Sequence, residues 1–262
     1  MTGWQISCLR SLIAAVVLSL VVPHLRTAWT WRAIVVAVPY ATTFTLYTLA
    51  NKLTTAANAI FLQDTAPLYI LLLGPFLLKE RTRSADLAFM AALVVGLGLI
   101  FGASAAPSET ATDPALGNVL GLCAGVSWAF TVLGLRWLAV RSTARPEHPI
   151  TAIIIGCLLA SAVGAPFAFP FAELGVTNLL IVAYLGLFQI ALAYVLVTYG
   201  IRRISALEAS LLLLVEPVFA PIWAWIWLAE VPAPLALAGG ALVVLATFVY
   251  AFRGRSGEVS AS

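Results

Sequence analysis

Two carboxylates stand inside apolar runs, where an ionised side chain is costly. Glu216 lies near the centre of Ala209–Glu230, ASLLLLVEPVFAPIWAWIWLAE, directly ahead of Pro217. Asp64 lies in Ala59–Glu80, AIFLQDTAPLYILLLGPFLLKE, three residues ahead of Pro67. A charge at the centre of a bilayer costs about 2.5–3.5 kcal/mol on insertion scales, so each such group asks for a reason. Glu216 can hold an amine or take up a proton; the competing reading is a protonated side chain bonded to a neighbouring helix. Pro217 strengthens the first reading, because it removes a backbone donor and displaces the carbonyl of Leu213. Polar backbone freed at that depth is tolerated beside a cavity or another helix. For Asp64 the two readings are proton or substrate binding, and a helix–helix hydrogen bond made through its neighbours Gln63 or Thr65. Pro67 and Pro217 are the expected helix breaks.

Other polar groups in these runs are read as supports. Glu80 and Glu230 end their spans beside loops and are expected to be structural, bonding backbone donors at a neighbouring helix start. Asn58 and Glu208 sit near span starts, where capping or interfacial anchoring is cheap. Arg10 lies one turn into its run. It either snorkels to the outer surface or faces a site and attracts a carboxylate, and snorkelling is the favoured expectation. Trp223, Trp225 and Trp227 form an expected interfacial belt. The cysteines Cys8, Cys123 and Cys157 make no C-x-x-C pair and read as packing residues, so neither a disulfide frame nor a metal site is expected. No zinc-protease, nucleophile-elbow or phosphate-loop motif is present, so no cofactor and no enzyme chemistry are expected. No basic cluster interleaved with aromatics points to nucleic acid.

Composition dictates the elements that carry these groups. The chain is 62% hydrophobic and 10% charged, against roughly 25% charged in a soluble domain. Its apolar runs reach the roughly 20 residues needed to cross a bilayer. The fold class is therefore an all-α membrane protein with nine transmembrane helices, near 6–22, 33–50, 56–78, 85–102, 117–139, 150–172, 177–199, 206–228 and 234–252. Residues 253–262 read as a disordered tail. Of the fourteen Lys and Arg residues, twelve fall in alternate loops, which places those loops and the C-terminus in the cytoplasm. The expected topology is directly testable. Cysteines introduced at Thr82 and beside Arg202 should react only with reagents that enter the cytoplasm, and cysteines at Ser108 and Pro232 should react from outside. Labelling of both sets from one side would contradict it.

The two acidic runs are copies of one another. At an offset of 150 residues, Pro67 meets Pro217, Glu80 meets Glu230, and Ala59, Leu62, Leu78, Leu87 and Ala91 meet their own kind. Equivalent spans lie an odd number of crossings apart, so the repeats are inverted. Residues 1–102 form the first repeat and 117–252 the second, with 103–116 joining them. Pro23 meets Pro170, which pairs span 6–22 with 150–172 and leaves 117–139 without a counterpart. The arrangement is four helices plus five, with the first helix of a ten-helix pattern missing from this sequence. The symmetry is expected to bring the spans of Asp64 and Glu216 together near the bilayer midplane.

The EPVFAPIWAWIWLAE stretch (Glu216–Glu230), its weaker copy APLYILLLGPFLLKE (Ala66–Glu80) and the paired repeats resemble the EamA-type transporters of the drug/metabolite transporter superfamily. The resemblance runs from about Ile6 to Phe252. It implies a central cavity faced by the spans that hold Gln189 and Tyr194, and Ser127 and Trp128. Together with Asp64, Glu216 and Gln63 these are the candidate substrate- or proton-binding residues. The implied function is a secondary transporter of the cytoplasmic membrane that exports a small metabolite, such as an amino acid or a drug-like compound. Its expected partners are that small molecule and the lipid bilayer. The runner-up is a non-transporting membrane protein, either a partner subunit or a truncated remnant.

Overall fold

A computed structural model describes residues 1–21, 29–54, 56–79, 83–103, 112–140, 149–170, 175–213 and 234–259, and their secondary structure is all helical. In a membrane every backbone N–H and C=O must find a partner within the chain, and a helix satisfies them locally. The helices are α1 (Gly3–Val21), α2 (Trp31–Leu53), α3 (Ala56–Gln63), α4 (Ala66–Leu77), α5 (Ser84–Ala103), α6 (Pro114–Val140), α7 (Pro149–Ala168), α8 (Val176–Tyr184), α9 (Ala193–Gly200), α10 (Ala206–Leu213) and α11 (Pro234–Val259). A π-helical segment, Leu185–Leu192, joins α8 to α9, so Val176–Gly200 is one rod of 25 residues. Among the described residues five helices are long and apolar enough to cross a membrane: α1, α2, α6, α7 and this rod. Starts follow local chemistry. Thr30 caps α2 by accepting from the Ala33 N–H. Proline fills the first position of α6, α7 and α11, where its missing N–H costs nothing. Asp113 accepts from the Leu116 N–H at 3.1 Å ahead of α6.

Two expected elements differ in form. The 56–78 span is two helices, interrupted at Asp64 and Thr65, with Pro67 in the first turn of α4. Thr65 Oγ1 donates to the Leu62 carbonyl at 2.6 Å, holding the interruption closed by a local bond. At the other end of the chain, α11 runs on to Val259, so residues 253–259 continue a helix where a disordered tail was expected. Extending a helix that already exists costs far less than nucleating one, and no proline stops it. Glu80, Glu216, Pro217 and Glu230 lie outside the described residues, as do the three tryptophans of the expected belt.

The chain forms two compact units, each drawing on both sides of the central connection. One comprises Met1–Ala66 and Thr110–Ala206. In it α6 packs along α2 and α3, α1 packs on α7 and the π segment, and α2 also packs on α7. The contact of α6 rests on a stripe of small residues, Gly117, Gly121 and Gly125, spaced one turn apart. A Cβ at Gly117 would lie 2.7 Å from Thr54 N, and one at Gly125 would lie 2.7 Å from the Leu62 carbonyl oxygen. Close backbone approach of this kind is how helices associate where lipid removes the hydrophobic drive. Thr54 Oγ1 donates to Asn118 Oδ1 at 2.8 Å beside the stripe.

The other unit comprises Pro67–Glu109 and Leu207–Ser262, with α5 packed on α11. Asp86, 6% exposed, ties the pair together. Its Oδ2 accepts from the Arg83 N–H at 2.7 Å, satisfying a donor left over at the helix start. Its Oδ1 accepts from the Tyr250 hydroxyl at 2.8 Å, and the Tyr250 ring stacks on Phe89 with centroids 4.5 Å apart. Hydrogen bonds to a carboxylate contribute about 1.5–3 kcal/mol. Asp86→Ala should therefore lower the melting temperature of the detergent-purified protein more than Tyr250→Phe, which removes one of the two bonds. Equal melting of Asp86→Ala and the parent chain would contradict this role.

Candidate functional site

The first unit gathers polar and aromatic side chains from four long helices around one cation. Arg10 is the eighth residue of α1, roughly 10 Å along the axis from the helix start at 1.5 Å per residue. It does not reach for the surface as expected, being 8% exposed. Its Nη1 donates to Gln189 Oε1 at 3.3 Å, and its guanidinium lies over the Phe44 ring, 5.2 Å from the centroid. Gln189 is exposed. Among the described residues the Arg10 Nε meets no hydrogen-bond acceptor.

Local sequence explains why α1 runs so close to the rod. A Cβ on Gly186 would lie 2.8 Å from the Arg10 carbonyl oxygen and 2.8 Å from Ile13 Cγ2, so only glycine admits α1 at this point. Gly186 and Gln189 both belong to the π segment. A π turn widens the helix and re-aims its side chains, and such turns recur at functional sites. On its opposite flank α1 is held by Cys8, whose Sγ lies 3.4 Å from both the carbonyl and the hydroxyl oxygen of Ser161 in α7.

Beyond Phe44 the aromatic contacts continue without a gap. Phe44 packs on Tyr40, one turn earlier on α2, with centroids 4.7 Å apart. Tyr40 meets Tyr194 edge-on at 5.1 Å, and Tyr194 meets Trp128 of α6 edge-on at 6.3 Å. Tyr40 is 1% exposed and Tyr194 7%. The buried Tyr40 hydroxyl lies 3.4 Å from Cys157 Sγ of α7, which supplies the partner a buried phenol needs. Tyr40, Tyr47 and Tyr194 all lie within electrostatic reach of the guanidinium.

Of the residues singled out in sequence, Gln189, Tyr194 and Trp128 therefore meet in one cluster. Ser127 stands next to Trp128, half-buried, with its carbonyl accepting from Thr131 Oγ1 at 2.9 Å. Gln63 and Asp64, both half-buried, sit at the interruption after α3. This interruption lies against Gly125, where an added Cβ would be 3.0 Å from the Gln63 carbonyl, one turn from Trp128 on α6. Glu208 lies in the first turn of α10, half-buried, where a carboxylate suits the helix dipole. Cys8 and Cys157 are buried, whereas Cys123 of α6 is exposed. Tyr40 and Phe44 were missed. Their four-residue spacing on one helix face beside Pro39 is the signal that was available.

The model of the EamA-like transporter family matches residues 1–102 and 115–252. The chain belongs to the EamA-like transporter family. It is a multi-pass membrane protein. A "Probable terminal-alkyne amino-acid exporter" of Streptantibioticus cattleyicolor is 29% identical over 187 residues, covering 71% of this chain and 61% of the relative. The chain thus spans about three-fifths of that relative's length. An "Uncharacterized transporter" of Archaeoglobus fulgidus is 26% identical over 206 residues, covering 78% of this chain and 70% of the relative. A solved crystal structure shares the fold at a TM-score of 0.80 and 21% identity, covering 98% of this chain and 90% of the other.

Proposed function

We propose that this family member is a secondary transporter of the cytoplasmic membrane that exports a small metabolite, an amino acid or a drug-like compound. The carrying observation is the cluster of Arg10, Gln189, Phe44, Tyr40, Tyr194 and Trp128, a group of polar and aromatic side chains inside membrane-spanning helices of a transporter family. A buried cation in a span is costly, and burying it among aromatic faces and an amide makes sense where a polar solute must pass. The 29% identity to the "Probable terminal-alkyne amino-acid exporter" supports the substrate class. In this reading 1–102 and 117–252 are inverted repeats of four and five helices, joined by 103–116, with the C-terminus cytoplasmic. Asp64 and Glu216 are the acids that take up and release protons or a cationic group, Ser127 and Gln63 contribute to the substrate path, and Glu80 and Glu230 are structural. Inverted repeats suit alternating access, and export needs no enzymatic step.

The reading is tested in cells loaded with amino acids by feeding excess dipeptides. Cells that express the chain should release one or more of those amino acids several-fold faster than cells with an empty vector. Equal release of every amino acid, from cells whose membranes hold the protein in normal abundance, would overturn the export reading.

A further inference from the structure

The geometry points to Arg10 as the seat of the transported molecule's carboxylate. The assignment rests on the transport reading above and adds to it a ligand chemistry and the residue that selects it.

A guanidinium carries five N–H donors and holds its charge under all ordinary conditions. Among the described residues Arg10 uses one donor, in a long bond of 3.3 Å to a neutral amide. Among the described residues its Nε meets no acceptor and no carboxylate pairs with it. A buried charge of this kind is normally paired and fully hydrogen-bonded. The cation–π contact with Phe44 offsets part of the loss of water but supplies no acceptor. What is lacking is a planar acceptor with two oxygens, the shape the guanidinium fork matches in a carboxylate. A purely structural arginine would be satisfied by its surroundings, and among the described residues this one is not.

The partner of the one bond it does make points the same way. Arginine only donates, so Gln189 presents its Oε1 to Arg10, and its Nε2 remains as a further donor beside the fork. Gln189 is exposed, which leaves the pair approachable along the π segment. Beneath it the guanidinium is backed by Phe44, which packs in turn on the buried Tyr40 and Tyr194. The ligand class is therefore an organic carboxylate, and within the export reading an α-amino acid.

The test is competition binding on the full chain in nanodiscs, with labelled L-leucine and L-phenylalanine as probes. Each is competed by its unlabelled acid, by its carboxamide and by its decarboxylated amine. On the parent chain the acid should compete at least tenfold more tightly than the amide or the amine. In Arg10→Gln, affinity for the acid should fall at least tenfold and the acid-over-amide preference should collapse towards one. Arg10→Lys should bind more weakly than the parent yet keep that preference. A merely structural role would lower the amount of folded protein without changing the acid-to-amide ratio. Equal competition by acid and amide on the parent chain would overturn the assignment without any variant having to fold. So would failure of the parent chain to bind either probe, or an Arg10→Gln protein that keeps the preference. Binding that obeys the acid rule in a protein that moves no probe across vesicles would retain the site and remove the transport reading. Export of amides and amines as fast as acids would do the reverse.

Discussion

Gly125→Leu should melt well below the parent chain. A Cβ at that position would lie 2.7 Å from the Leu62 carbonyl oxygen, 2.9 Å from Thr65 Oγ1 and 3.0 Å from the Gln63 carbonyl oxygen. Two of these are backbone atoms, which cannot swing aside as a long side chain does. The hydroxyl of Thr65 is itself engaged with Leu62, so relief would have to come from moving α6 away from the end of α3. Overpacking a tight contact costs about 1–3 kcal/mol, and a leucine against backbone belongs at or above the upper end. For a chain of this size roughly 2–4 °C of melting temperature follows each kcal/mol, so a fall of roughly 6–12 °C is expected. Gly98 is the control, because nothing lies within 4 Å of a Cβ built there. Gly98→Leu should melt with the parent chain. Detergent-purified protein followed by fluorescence during heating measures both, and equal melting of the two variants would show that α6 does not rest on its glycine stripe.

Glu216→Gln should reduce transport at least tenfold while leaving abundance near that of the parent chain. The substitution keeps the shape of the side chain and much of its hydrogen bonding and removes only its capacity to exchange a proton. If Glu216 merely packs, an amide in its place is harmless. If it takes up a proton from one side of the membrane and releases it to the other, the amide ends that exchange. Glu230→Gln should behave oppositely, lowering abundance and sparing the flux per molecule, because its proposed role is to bond backbone at a helix start. Flux driven by an imposed pH gradient, normalised to the protein in each vesicle sample, separates the two. Unchanged flux and unchanged pH dependence in Glu216→Gln would remove the central carboxylate from the mechanism.

What the residue order makes legible here is set by the bilayer. Runs such as Val119 to Leu135, or Ile150 to Ala168, are apolar on nearly every side, and a membrane leaves such runs only the helix. The positions of α1, α2, α6, α7 and the Val176–Gly200 rod were therefore readable to within a few residues. The form of two spans was not. Interruption at Asp64 and Thr65 depends on a local hydroxyl bond and on α6 pressing against it, and the π segment at Leu185–Leu192 leaves no compositional mark. Glycine spacing in α6 was visible but carried no meaning until α2 and α3 were placed beside it. Arg10 shows the same limit most sharply. Its position near a span end made escape to the surface the cheaper expectation, whereas Gly186 brings α1 against the rod and places Gln189 within reach. Tyr194 and Trp128 were singled out through family resemblance. Their contact with each other, and with Tyr40 and Phe44, is a product of packing between helices distant in sequence.

The central claim, that this chain moves a small metabolite across the membrane, is tested most directly by counterflow in vesicles. Proteoliposomes holding the purified full chain are loaded with millimolar unlabelled amino acids, then diluted into trace labelled amino acids. A transporter exchanges internal for external solute and makes the label accumulate transiently above its equilibrium level. The account predicts that overshoot for at least one amino acid, absent from protein-free vesicles. Label entry that never exceeds equilibrium and matches protein-free vesicles for every amino acid, with the protein shown to be folded and inserted, would contradict it.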